Sequence, residues 1–195
     1  RWRAMNPQLR LFLGGVLLLG IASGLFETTF NNFLNDTFHI SAKTRGHLEF
    51  PRELPGFLTA LFAGMLFFLS ETAVAGVSAL AIGLGMLGLA LWGQTWLAML
   101  VFMIVWSAGT HLTMAVHASI SMDLADANQK GRRLGQVRGV TLAAALVGCG
   151  LVLVLLKYLK LDYSVTFLTG GVVALLGAGV FFAMRIPNGH LRRPK

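Results

Sequence analysis

Charge is what this sequence has least of: 12% of its 195 residues are Asp, Glu, Lys or Arg, against 55% that are hydrophobic. A water-soluble domain carries about twice that charged fraction, so a soluble globular fold is excluded. Acidic residues are the scarcer kind, with 8 Asp and Glu against 16 Lys and Arg. The one cysteine, Cys149, excludes an intrachain disulfide. It stands between Gly148 and Gly150 in an apolar run, where a small packing residue is expected. No HExxH, GxSxG or Cys/His ligand set occurs, so neither an enzyme nor a metal or cofactor site is expected. The net charge of +8 is not arranged as a basic stripe interleaved with aromatics, and no nucleic-acid partner is expected.

What the chain does have is a series of long apolar runs. A helix crossing about 30 Å of hydrocarbon needs about 20 residues, and six runs are read as spans: 10–34, 43–70, 73–93, 95–122, 138–157 and 163–185. The expected fold is all-α and integral to the bilayer. Residues 1–9 form an N-terminal segment, 10–185 a six-helix transmembrane domain, and 186–195 a tail or the start of a central loop. The second run is the least regular, because Glu49, Arg52 and Glu53 interrupt it. Starting it at Leu54 leaves about 16 apolar residues, short for a span. Starting it at Lys43, with Ser41 as cap and Pro51 and Pro55 as kinks, gives a full crossing.

Of the 16 basic residues, 11 fall on the side of the two termini and of the connection after the fourth run; 5 fall on the other. The positive-inside rule then places both termini in the cytoplasm, with a bacterial plasma membrane as the expected location. Runs three and six are both Gly-, Ala- and Leu-rich, and runs one and four both carry polar residues midway. That echo predicts two three-helix repeats, a common plan for transporters.

Polar residues inside such runs are the candidate functional groups. At about 100° per residue, Ser23, Glu27, Asn31 and Asn35 share one stripe of the first span, with Gly20 and Gly24 near it. A carboxylate facing lipid is costly, so the stripe should face a partner helix or a water-filled cavity. Glu27 lies about 7–8 Å beyond the middle of its span, and Arg52 falls at a similar depth on the second. An ion pair between them would let both charges persist there, with Glu49 and Glu53 close enough to share Arg52. On the fourth span Ser107 and His111 share a face near mid-membrane, which fits a proton relay, a solute contact or an interhelical hydrogen bond. His117, on the face of Thr110 and Ser121, is expected to be a packing residue.

The passage "WSAGTHL" through "SISMDLADANQKGRRLGQVRGV" is similar to the span-four-to-five region of major facilitator superfamily transporters, through Gly131-Arg132-Arg133-Leu134-Gly135 and Arg138-Gly139. "HISAKTRGHLEFPRELPG" resembles that family's entry into its second helix. Gly64 and Leu66 match its motif after span two, whereas Phe68 takes the Asp position and "FLSETAVAG" lacks the basic residues. The chain thus resembles the N-terminal six-helix half of such a transporter. The resemblance implies a small solute carried by alternating access, with proton coupling through Glu27 or Glu53. Glu27, Asn31, Arg52, Glu53 and His111 would line the path, and Ser23, Asn35, Glu49 and Ser107 would lie beside it. Glu71, Arg132, Arg133 and Arg138 would form the cytoplasmic gate. It also implies a C-terminal six-helix half or a second copy as partner. A non-transporting scaffold is the alternative expectation, and a channel a more distant one.

Overall fold

The computed structural model describes residues 6–66, 68–126 and 128–186; the expectations for Arg1, Arg3 and the tail from residue 187 lie outside them. Among the described residues there are helices and turns and no strand. Helix α1 covers Pro7–Phe38, α2 Ala42–Phe57, α3 Thr59–Met65, α4 Glu71–Trp92, α5 Trp96–Asp123, α6 Lys130–Val152 and α7 Tyr163–Phe182. The end of α6 widens into a π-helical segment, Leu153–Tyr158.

Local chemistry sets the boundaries. Asn6 caps α1 by accepting from the Gln8 amide, with Pro7 in the first turn, where its missing N–H costs nothing. Ser41, Ser70 and Asp162 cap α2, α4 and α7 in the same way, accepting from Thr44, Ala73 and Val165. His39 closes α1 in the left-handed conformation, its N–H donating to the Asn35 carbonyl at 2.9 Å.

Five helices are long and apolar enough to cross a membrane: α1, α4, α5, α6 with its π-helical end, and α7. This is an all-helical, multi-pass membrane architecture. The second expected run behaves differently. It starts at Ala42 with Pro51 and Pro55 inside the helix, then breaks at Leu58, and α3 adds a short second piece ending at Met65. Two prolines remove two amide donors from α2, and the charged residues keep its mean hydropathy low.

Helix α1 packs along α6 and α7, α4 along α5 and α7, and α2 against α5. Between α1 and α6 the backbones nearly touch: a Cβ on Gly24 would lie 2.1 Å from the Ala145 carbonyl oxygen, and one on Gly148 2.3 Å from that of Ile21. Small residues of this kind let membrane helices approach without a hydrophobic driving force between them. An aromatic column of Phe26, Phe30, Phe33 and Phe167 fills the core near the α1 C-terminal half.

Candidate functional site

The charged residues of α1, α2 and α5 meet in one cluster. Arg52 donates from one guanidinium nitrogen to both carboxylate oxygens of Glu27, each at 3.0 Å. Its other terminal nitrogen lies 3.5 Å from Glu49, one turn back on α2. The Arg52 guanidinium also sits over the Trp106 ring, 5.6 Å from its centre, a favourable cation–π placement. The Ser107 hydroxyl donates to the Arg52 carbonyl, and His111 Nε2 lies 3.3 Å from a Glu53 oxygen. The α2–α5 approach is close because residue 56 is Gly: a Cβ there would stand 2.7 Å from the His111 ring. Arg45 reaches the Asn31 carbonyl at 3.4 Å. Charges that would be isolated in lipid are thus gathered, Arg52 with Glu27 and Glu49, and Glu53 beside His111.

Below this cluster, towards the α1 N-terminus and the α5–α6 connection, lies a cavity of about 390 Å³ between α1, α4, α5 and α6. Ser23, Thr110, Thr113, His117, Arg138 and Thr141 provide its polar lining, and Val16, Leu19, Ile82 and Met114 part of its apolar lining. Trp106 lines it as well, so one indole touches both the cavity and the charged cluster. That indole stacks on Phe26 with ring centres 3.6 Å apart. Arg52 sits over that indole and pairs with Glu27.

Not every expected residue joins this arrangement. Glu27, Arg52, Glu53, His111, Glu49 and Ser107 form the cluster; Ser23 and Arg138 line the cavity instead. Asn31 contributes its backbone carbonyl, and Asn35 bonds Asp36, which in turn accepts from Tyr163 across the α1–α7 junction at 2.5 Å. Glu71 accepts from Ser119 of α5 at 2.7 Å. The guanidinium groups of Arg132 and Arg133 turn to Gln129 and Gln136 of their own chain segment.

Two functional candidates were not singled out from sequence, Trp106 and the cavity face of α5. Trp106, Thr110, Thr113, His117 and Ser121 recur at helical spacing and all line the cavity. His117, expected to be a packing residue, does pack, edge-on against Phe12 at 5.3 Å, yet it also forms part of the cavity wall. The stripe was the available signal.

The fold and site together define an all-helical membrane protein with an apolar core, a charged cluster and a partly polar cavity between its helices. No protein-family model and no curated protein matches the chain.

Proposed function

We propose that this chain is a six-helix half of a secondary transporter of the major facilitator type, carrying a small solute across the membrane without performing chemistry on it and without a cofactor. The observation that carries the reading is the join at Trp106, where one indole touches both a partly polar cavity and the ion-paired Arg52 cluster. A cavity open on one side and sealed by breakable contacts on the other is what alternating access requires. With the termini cytoplasmic, as the basic loops favour, the cavity opens inward and the Arg52 cluster closes the outward side. A bacterial plasma membrane fits this orientation.

The packing supports two three-helix repeats. Exchange α1 with α5, α2 with α6, and α4 with α7: the α1–α6 contact becomes α5–α2, α1–α7 becomes α5–α4, and α4–α7 maps onto itself. The cavity and the cluster lie on α1 and α5, the pair that this exchange relates. Glu27, paired with Arg52, and Glu53, 3.3 Å from His111 Nε2, are the proposed proton carriers, since a carboxylate released from its partner can take up a proton. Side-chain glue between helices, the scaffold reading, has little support from the asparagines: Asn32 bonds its own helix and Asn35 its neighbour.

Uptake into proteoliposomes tests the reading, with the chain alone and together with any C-terminal half encoded beyond Lys195. Saturable uptake of a solute from a metabolite panel, driven by a proton gradient and lost in Glu27→Gln at unchanged expression, is the expected result. Ungated flux would mean a pore, and no flux from folded protein in either format would leave a scaffold.

A further inference from the structure

The cavity wall has a chemical bias. Among the described residues no Asp or Glu lines it, and Arg138, exposed at its edge, is the one formally charged side chain there. Most of its hydroxyl protons already have acceptors: Thr110 donates to the Trp106 carbonyl, Thr141 to that of Val137, Ser121 to that of His117, and Thr113 to Ser78 Oγ. The donors left wanting lie elsewhere in the wall. Among the described residues Trp106 Nε1 is buried without a partner, and an indole nitrogen only donates. His117 Nε2 is likewise buried without a partner, and a neutral imidazole nitrogen donates or accepts according to its tautomer. Arg138 makes no hydrogen bond or ion pair among the described residues, and its guanidinium offers five N–H donors. Meanwhile the carboxylates of the cluster, Glu27, Glu49 and Glu53, face Arg52 or His111 beyond the Trp106 ring.

From this we infer that the cavity takes a small organic monoanion, a carboxylate with an apolar body, and that Arg138 holds its charged end. The unmet donors of Trp106 and Arg138 call for an acceptor-rich group, and an Arg fork matches a carboxylate in plane and spacing. A single cation suits one negative charge better than the two of a phosphate monoester. The apolar body packs on Val16, Leu19, Ile82 and Met114, as small-molecule sites combine an apolar lining with few placed polar groups. The inference deepens the transport reading by naming the class of its solute.

The test is protection of a cysteine in the cavity wall. In a Cys149→Ala background, Ser23→Cys in the full chain, reconstituted in nanodiscs, is alkylated by a small maleimide. Benzoate, hexanoate and 3-phenylpropionate are each compared with benzyl alcohol, benzylamine and phenylphosphonate. Slower alkylation with one or more carboxylates, and none with the alcohol or amine, is expected. Arg138→Gln should raise the half-protecting concentration about tenfold or more, the loss of a charge-assisted hydrogen bond, with Arg138→Lys in between and Lys157→Gln, at the other end of α6, unchanged. The variants' melting temperatures confirm folding. Protection by no carboxylate, protection by amine or alcohol to the same degree, stronger protection by the phosphonate, or indifference to Arg138→Gln overturns the inference. Proteoliposome uptake separates the two claims. Protection by a carboxylate that is never transported sinks the transport reading and keeps the site. Transport of another solute, without carboxylate protection, does the reverse.

Discussion

Arg52 reaches Glu27 on α1, Glu49 on its own helix and the face of Trp106 on α5. Its side chain is only 17% exposed, whereas that of Glu27 is 47% exposed. The cation is therefore the inner member of the pair, and losing it leaves two carboxylates without their nearest positive charge. Arg52→Gln is expected to destabilise more than Glu27→Gln, after which Arg52 still has Glu49. A double-mutant cycle should give a coupling of about 1–2 kcal/mol, above the range of fully exposed pairs and below that of buried charge-assisted bonds. Thermal unfolding of the four proteins in one detergent measures it. Coupling near zero would mean that the two groups are separately solvated and that the cluster seals nothing.

At the scale of helices, the glycines of α1 divide into two kinds with opposite expected effects. Gly24 and its counterpart Gly148 stand where any Cβ meets backbone of the other helix, at 2.1 and 2.3 Å, and backbone cannot swing aside as a side chain can. Gly24→Ala and Gly148→Ala should each destabilise by about 1–3 kcal/mol, the usual range for overpacking. Gly14, on the same helix, has nothing within 4 Å of an added Cβ. There Gly→Ala should stabilise by about 0.5–1 kcal/mol through helix propensity alone. Equal effects at Gly14 and Gly24 would refute the close α1–α6 contact. Hydropathy made the five long helices legible, because apolar length is a property of each run by itself. It could not place the break in the second run: Pro51, Pro55 and three charges pull towards different boundaries, and packing on α5 decides. The depth argument brought Glu27 and Arg52 to one level, and their side chains meet. The cavity was not legible, since it depends on which face of α5 meets which neighbour. Its stripe from Trp106 to Ser121 reads equally well as core until α1 and α6 are in place.

On the whole molecule, exposure is of two sorts. Over α4 and α7 the large exposed side chains are apolar, among them Leu84, Leu91, Leu168 and Leu176, as a lipid-facing surface requires. Beside α2 the carboxylates of Glu27, Glu49 and Glu53 are 47–49% exposed, and no bilayer interior accommodates three such groups cheaply. This face must therefore meet water or protein, which is the reason for proposing a C-terminal half or a second copy over it. Thiol chemistry reads the difference directly. In a Cys149→Ala background, Glu49→Cys in proteoliposomes should react readily with a membrane-impermeant maleimide, while Leu84→Cys, near the middle of α4, should not. Supplying the covering partner should slow the first and leave the second as it was. If Glu49→Cys is as unreactive as Leu84→Cys with the chain alone, the charged face looks into lipid, and the half-transporter assembly has lost its reason. If it reacts and no partner slows it, the face is a solvated surface and the helices described stand by themselves.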